Sequence, residues 1–287
     1  MKKGITLSLL AAGMSGISIF ANTIFVSKAD PLVFTIIRNA VVALILTMVI
    51  MVNGQIKHLA SFSIKEWGKL LAIGAIGGGI PFALFFTGLS QIGAVNGNIL
   101  QKTLFLWVAL LAIPILKERI GKIQLIGYLT LFIGMFVFGG TFKIVPNTGT
   151  WLVLAATVLW AIENVIAKIT LKTVPSAIVT WGRMVFGLPF LFAAVLIFGK
   201  VGLLTSATSY SLAPIITSSV LLTLYVSTWY SALSKAPATL VSSVLVFAPV
   251  VTAVLSLLIF GKPIAGQQIA MITLLTAGTL LCIQYDF

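Results

Sequence analysis

The chain has 287 residues, of which 60% are hydrophobic and only 8% are charged, whereas soluble domains carry about 25% charged residues. A soluble core cannot bury this much apolar surface, so the composition excludes a soluble globular protein and indicates lipid as the main solvent. The net charge of +13 would suggest a nucleic-acid partner in a soluble protein, but the basic residues are scattered between apolar blocks. We interpret them as determinants of membrane orientation and expect no nucleic acid.

Apolar stretches of about 20 residues, the length that a transmembrane helix requires, follow one another along the chain. The pattern predicts ten membrane segments, at 5–26, 32–52, 67–90, 94–116, 122–141, 149–171, 177–198, 211–233, 238–260 and 265–284. The first stretch follows Lys2 and Lys3 as in a signal peptide, but no clear cleavage site ends it, so we interpret it as a membrane helix. Segments 3 and 4 are separated only by Ser90 to Gly93, which predicts a tight hairpin. We therefore expect an all-α integral membrane protein.

The lysines and arginines of the connectors predict the orientation of these segments. With the N-terminus inside, ten basic residues lie in cytoplasmic connectors: Lys2, Lys3, Lys57, Lys65, Lys69, Lys117, Arg119, Lys122, Lys172 and Lys235. Four lie in outside connectors: Lys28, Lys143, Lys200 and Lys262. This excess favours a multi-pass protein of the cell membrane with both termini in the cytoplasm.

The second half of the chain aligns with the first when the sequence is shifted by 144 residues. From 89 to 138 this register has no gap and gives 10 identities in 50 positions. Apolar composition alone produces some of these identities, but Ser90, Gln124 and Gly134 also match, and such residue types are harder to explain by composition. The chain is therefore predicted to contain an internal repeat.

The repeat also brings Arg38 onto Arg183 after one residue of slippage. Arginine inside a membrane costs a few kcal/mol at least, so two of them at equivalent places indicate a shared role. The halves, 1–143 and 148–287, hold five segments each, and an odd number requires the second half to enter the membrane inverted. Inverted repeats are the common construction of secondary transporters. A duplication without transport function is the alternative.

Two motifs carry a family resemblance. Pro31 is followed by Arg38 at segment 2, and Pro175 followed by Arg183 repeats this in segment 7. The stretch LKERI places Glu118 in the turn between segments 4 and 5. In these features the chain resembles the drug/metabolite transporter superfamily, specifically the ten-helix EamA-type families. It departs from them in the second half, where the corresponding turn reads FGKPI without a glutamate, and in the aromatic-glycine motif of the first helix, which reads Ser-Gly here.

The resemblance implies an ATP-independent transporter of small polar or amphipathic metabolites, above all an amino-acid or metabolite exporter that works by alternating access. It implies a midplane cavity lined by segments 1–4 and 6–9, with segments 5 and 10 as braces. The sequence holds neither a phosphate-binding loop nor a metal-binding motif, so we expect no enzyme, no metal and no cofactor. The expected partners are a small-molecule substrate and membrane lipid. A non-transporting scaffold or assembly protein is the alternative, and both a monomer and a homodimer fit.

Polar residues inside the apolar segments are the candidates for substrate contact, because such residues are costly in lipid and mark functional sites. Lys102 lies one helical turn after Asn98, and Trp160, Glu163 and Asn164 share one face of segment 6. A cation and an acid in one cavity would suit a zwitterion such as an amino acid, whereas mutual neutralisation of Lys102 and Glu163 is the simpler alternative. Glu163 is also the candidate site of a coupling proton.

Four more residues in the membrane segments are candidates for the cavity or its framework. Arg38 and Arg183 are expected to pair with backbone carbonyls, as structural residues, or with substrate anions. Tyr225 and Trp229 lie one turn apart in segment 8 and could wall the cavity.

Small and cyclic residues predict places where helices bend or cross closely. Gly78 belongs to a glycine run in segment 3 that ends at Pro81, and Pro249 interrupts segment 9. Such a run weakens a helix, so a gating hinge is one interpretation. A close helix crossing is the other, and it explains the pattern equally well.

Overall fold

The computed structural model of this chain has helices joined by short connectors, and no strand, in the part that it describes, residues 1–25, 30–138, 146–205, 212–261 and 263–284. Ten long helices follow in chain order: α1 (Lys2–Phe25), α2 (Pro31–Val52), α3 (Ile64–Gly93), α4 (Asn96–Leu116), α5 (Lys122–Phe138), α6 (Thr148–Thr170), α7 (Ser176–Ile197), α8 (Leu212–Lys235), α9 (Ala238–Phe260) and α10 (Gly266–Ile283). Short helices Ile56–Leu59 and Val201–Thr205 lie in connectors.

The predicted all-α membrane fold is confirmed. Within the described residues, nine helices are long and apolar enough to cross a membrane. The tenth, α5, has 17 residues and is followed by 139–145, which lie outside the described part. The segment boundaries differ from the predicted ones by at most a few residues. The described part also lacks three of the four basic residues assigned to outside connectors, namely Lys28, Lys143 and Lys262. The membrane orientation therefore stays a prediction.

The start of α2 shows how a polar residue sets a helix boundary. Asp30 caps this helix, because its carboxylate accepts the backbone N–H groups of Leu32 at 3.0 Å and Val33 at 3.2 Å, and Pro31 supplies a first residue that has no N–H to satisfy. The same carboxylate pairs with Lys200, at 2.7 Å, just beyond the end of α7. Burial raises the pKa of Asp30, but the hydrogen bonds to Lys200 and to the backbone outweigh it and leave the pKa below its ordinary value.

Contacts between helix ends show that the two halves are antiparallel. A Cβ atom on Gly4, at the start of α1, would lie 2.7 Å from Cβ of Ala236, just after α8. A Cβ atom on Gly149, at the start of α6, would lie 2.9 Å from the carbonyl oxygen of Gly88, near the end of α3. The helices alternate in direction, so α1 and α6 begin at opposite faces of the bundle. We call the face at which α1 begins the N-terminal face and the other the opposite face.

The halves also exchange helices. From the first half, α1 packs against α8 and α9 of the second, and in the mirrored arrangement α6 packs against α3 and α4. The predicted braces α5 and α10 pack on each other: a Cβ on Gly127 would lie 2.7 Å from Sγ of Cys282, and one on Gly278 would lie 2.9 Å from Cγ of Leu131. Because neither half is packed without the other, the halves are repeats of one bundle and not separate globular units.

The helices α4 and α9 are interrupted at places that the repeat relates. A turn at Thr103, directly after Lys102, divides α4, and a 3-10 turn over Leu245–Phe247 divides α9. Both helices end on a residue in the left-handed region, Lys117 with φ 57° and Gly261 with φ 61°. Glycine adopts this conformation without a steric penalty, whereas lysine does not, so the first half carries backbone strain that the second half avoids.

A close crossing of α3 and α7 accounts for the glycine run. Residues Gly74–Gly79 form a π-helical turn inside α3. A Cβ on Gly78 would lie 2.1 Å from the carbonyl oxygen of Arg183, and one on Gly187 would lie 2.7 Å from backbone atoms of Gly78. The backbones therefore touch with no side chain between them, which supports the close-packing interpretation.

The predicted hairpin between α3 and α4 is present. Gly93 is its one residue with clearly non-helical dihedral angles, φ 79° and ψ 159°, a conformation that is open to glycine and strained for other residues. A Cβ on Gly97 would lie 2.2 Å from Cδ1 of Leu89, so the two helices fold back on each other almost at once.

Candidate functional site

A cavity of about 210 Å³ lies between the two halves. Its lining comes from α1–α4 and α6–α9, whereas no residue of α5 or α10 in the described ranges contributes. The lining residues are Ser15, Ser18, Ile19, Arg38, Phe82, Gln101, Lys102, Leu104, Phe105, Trp160, Glu163, Asn164, Arg183, Leu222, Tyr225, Trp229, Ser242, Leu245 and Val246. The cavity therefore brings together six of the seven predicted substrate-contact residues and both arginines.

Asn98 is the exception, and it corrects the expectation that Asn98 lines the cavity together with Lys102. It is exposed and is not part of the lining. The reason is its position: Asn98 belongs to the first turn of α4, near the opposite face of the bundle, whereas Lys102 lies a turn deeper, beside the interruption of the helix.

The three residues proposed as gating elements lie beside the cavity and not in its lining. Gly78 is buried against the backbone of Arg183. Pro81 is buried directly after the π-helical turn. Pro249 follows the 3-10 turn whose residues Leu245 and Val246 do line the cavity. Their role in gating stays a prediction.

Glu163 has a partner that sequence analysis did not identify. The hydroxyl of Tyr230 donates a short hydrogen bond to its carboxylate, and Tyr230 is itself completely buried. The guanidinium of Arg183 lies over the Tyr230 ring, 5.8 Å from its centroid. The acid, the phenol and the guanidinium thus form one group, which we call the Glu163 cluster. Nothing in the local sequence of α8 indicates which face of that helix meets Glu163.

The carbonyl of Gly77 completes this cluster. It accepts the indole N–H of Trp160 at 3.0 Å and Nη2 of Arg183 at 3.0 Å. In an α-helix this carbonyl would accept the N–H of residue 81, but Pro81 has none. The spacing of Gly77 and Pro81 is therefore a sequence signal that could have identified an available carbonyl in mid-membrane, although not its partners.

Asn164 links two aromatic walls of the cavity. Its side-chain N–H donates to the Trp160 carbonyl at 2.8 Å, and its oxygen accepts the indole N–H of Trp229 at 3.1 Å. Trp229 lies beside Tyr225, with 6.2 Å between ring centroids, and Trp160 lies edge-on to Phe82 at 5.4 Å. Buried amide groups that are hydrogen-bonded hold such rings in fixed orientations.

Lys102 and Arg38 have far fewer partners. Lys102 and Glu163 form no ion pair, and among the described residues no hydrogen-bond acceptor contacts the Lys102 ammonium, so the two charges do not neutralise each other directly. Arg38 is only 8% exposed, yet within the described part of the chain its guanidinium has one hydrogen-bond partner, the neighbouring Asn39 oxygen, 3.4 Å from both Nε and Nη2. Both cations line the cavity.

At the N-terminal face, two charged residues hold the turn between α8 and α9. The Glu118 carboxylate accepts the N–H groups of Ala238 at 2.7 Å and Thr239 at 2.9 Å, together with the Thr239 hydroxyl at 2.8 Å. The Lys168 ammonium donates to the carbonyls of Leu233 at 2.5 Å and Ala236 at 2.7 Å. A glutamate of the first half thus caps a helix of the second, a role that the local sequence around Glu118 does not reveal.

A cavity between two inverted five-helix halves, bounded by helices that are interrupted in mid-membrane, defines a membrane transporter of the drug/metabolite type. A sequence model of the EamA-like transporter family matches residues 2–140 and 147–284. The chain therefore belongs to the EamA-like transporter family, with one match for each half. The predicted boundaries, 1–143 and 148–287, extend into undescribed residues and stay a prediction.

One solved structure, titled "Crystal structure of protein", aligns with 98% of this chain and 96% of its own, with a TM-score of 0.77 and 13% sequence identity. At that identity the likeness concerns the fold alone. No curated protein sequence matches the chain significantly.

Proposed function

We propose that this transporter is an ATP-independent secondary carrier that exports small polar or amphipathic metabolites, amino acids among them, from the cell by alternating access. The observation that carries the proposal is the composition of the cavity. Charged, amide, hydroxyl and aromatic side chains from both halves line one shared cavity, as expected of a site that binds a polar molecule inside the membrane. A scaffold protein would have no need of such a lining.

Alternating access requires contacts between the halves that form at one face and break in the other state. The hydrogen bonds from Glu118 to the start of α9 join the halves at the N-terminal face. The corresponding position of the second half is Lys262, so the opposite face cannot form the same carboxylate cap. We propose that the Glu118 contact opens when the cavity faces the N-terminal side, which our orientation places in the cytoplasm.

Glu163 is the proposed site of a coupling proton. Of the five acidic residues in the sequence, it is the one that lies deep inside a membrane-spanning helix. Its carboxylate shares a hydrogen bond with Tyr230 and faces the cavity, so proton binding there would reorganise the Glu163 cluster beside the substrate.

Counterflow in liposomes tests the transport proposal. Purified protein in vesicles preloaded with a metabolite should accumulate the labelled form of the same metabolite without ATP. The test panel consists of amino acids, nucleosides, amines and organic acids. Absence of counterflow across the whole panel would favour the scaffold alternative.

The proton hypothesis is tested with Glu163→Gln. We expect transport by the wild type to respond to an imposed pH gradient and transport by this variant not to respond. Glu66→Gln is the matched control, since Glu66 lies at the start of α3 in a capping box that glutamine also supports. A variant that keeps the full pH response would refute the assignment of Glu163.

A further inference from the structure

We propose that the substrate of this cavity is an organic anion, a carboxylate or phosphate monoester with an aromatic or apolar body, and that Lys102 and Arg38 bind its charged group. The inference rests on the proposed transport function and narrows it from polar metabolites in general to one charge class. Neither a cationic substrate nor a neutral zwitterion fits the charges of the lining equally well.

The ionisable side chains that line the cavity are unequal in sign. Lys102, Arg38 and Arg183 contribute three cations against one carboxylate, that of Glu163, which leaves a net charge of +2. Charges in a site of this kind are screened far less than charges in water. An anion is therefore the ligand that balances the cavity.

The single carboxylate is also engaged with the protein. Glu163 accepts the Tyr230 hydroxyl, and Arg183 lies over the same Tyr230 ring and donates to Gly77. An ammonium group of a substrate would have to compete with this cluster for its acid. A zwitterion would meet an acid that already accepts a hydrogen bond at one oxygen, whereas an anion needs only the cations.

Lys102 and Arg38 are the cations without such a cluster, and they lie at matching depth. Arg38 is seven residues from the start of α2 and Lys102 six from the start of α4, which places each about 10 Å from the opposite face at 1.5 Å per residue. By the same measure Glu163 lies about 22 Å from that face, fifteen residues into α6. The two cations thus line the cavity at the same depth, about 12 Å from the depth of the acid.

The remaining wall of the cavity bears on the body of the ligand. The rest of the lining combines hydroxyl and amide side chains with large aromatic rings, among them Phe82, Phe105 and Trp229. A molecule with an anionic head and an aromatic body would place each part against matching chemistry.

A set of probes with one body and different charges tests the proposal. Phenylacetate, phenyl phosphate, phenylalanine and phenethylamine share the phenyl ring and differ in charge. Binding to the purified full-length protein in detergent is measured by thermal shift and by quenching of tryptophan fluorescence, since Trp160 and Trp229 line the cavity. We expect the two anions to bind at least about tenfold more tightly than phenethylamine. Preference for phenethylamine or phenylalanine, or no binding by any probe at millimolar concentration, would overturn the proposal.

Variants identify the cations that are responsible. Lys102→Gln should weaken phenylacetate binding about tenfold, whereas Lys102→Arg, which keeps the charge, should retain most of it. Lys65→Gln makes the same change at an exposed position and should leave binding unaltered. Phenylacetate affinity that is unchanged in both Lys102→Gln and Arg38→Gln would contradict the assignment, even if the anions still bind best.

Transport is measured separately, so the two proposals can fail separately. If anions bind as expected but show no counterflow in liposomes, the charge class stands and the carrier function fails. If an amine shows counterflow and the anions neither bind nor move, the carrier function stands and the charge class fails.

Discussion

Arg183 and Arg38 occupy equivalent places in the two halves, yet their surroundings differ. Arg183 donates to the Gly77 carbonyl at 3.0 Å, lies over the Tyr230 ring and is close to the Glu163 carboxylate. Arg38 contacts one amide oxygen at 3.4 Å. The repeat therefore conserves the position of the charge and not its partners. One arginine has become part of the framework, and the other is available to a ligand, which is how two similar halves produce an asymmetric site.

We expect the largest effect on stability from replacing Arg183, the arginine whose charge has partners. Arg183→Gln should lower the free energy of unfolding by about 3 kcal/mol, because it leaves the buried Glu163 carboxylate without its nearby cation. Arg38→Gln should be neutral or stabilising, because it removes a buried charge that has only weak partners. Thermal unfolding in detergent measures both. Equal destabilisation by the two variants would remove the distinction between them.

A methyl group at the α3–α7 crossing should have the next largest effect. Gly78→Ala places a Cβ 2.1 Å from the Arg183 carbonyl oxygen, so the helices must separate, at a cost of about 1–3 kcal/mol. Gly68→Ala in the same helix has open space around it and should stabilise by about 0.5–1 kcal/mol. The measurement is the difference in melting temperature between each variant and the wild type. A Gly78→Ala protein as stable as the wild type would show that the crossing adapts.

A carboxylate partner for Arg38 should make its surroundings resemble those of Arg183. We expect this change to cost less stability than Arg183→Gln or Gly78→Ala. Asn39→Asp replaces an amide whose nitrogen has no hydrogen-bond partner among the described residues and places an acid at the oxygen that Arg38 already contacts. We expect phenylacetate affinity to fall about tenfold, because the new acid competes with the ligand. Asn39→Ala, which removes the contact without adding charge, is the control. If Asn39→Asp binds phenylacetate as tightly as the wild type does, Arg38 does not hold the anion.

The smallest effect concerns the cap of the helix that carries Arg38. Asp30→Asn should keep the cap, since asparagine caps as well as aspartate, and lose the partly exposed ion pair with Lys200, which contributes at most about 1 kcal/mol. The pKa of Asp30 is lowered in the folded state. The advantage of the wild type is therefore present above the unfolded-state pKa, near 3.8, and is lost as the pH falls through the lower folded value. Melting curves of the wild type and Asp30→Asn from neutral pH to pH 3 measure this advantage. A difference in melting temperature that stays constant over this range would exclude the ion pair as its source.

Much of the fold could be predicted because hydrophobic length is a strong signal in membrane proteins. The ten segments, the hairpin at Gly93 and the family all followed from apolar runs, breakers and the 144-residue repeat. The site was predicted less completely. Polar residues in apolar segments identified Lys102 and Glu163, whereas Asn98 proved to be exposed, because two residues one turn apart can still differ in depth relative to a cavity.

By itself, the sequence determined which residues are helical, that the halves are inverted, and which charges enter the membrane, because these depend on local composition and on an odd number of helices per half. Only the tertiary structure decided which charges have partners. The contact of Tyr230 with Glu163 and the two bonds to the Gly77 carbonyl depend on the rotation of each helix about its axis and on the close approach of α3 and α7. Such geometry arises from the packing of the whole bundle, and no local pattern in the sequence encodes it.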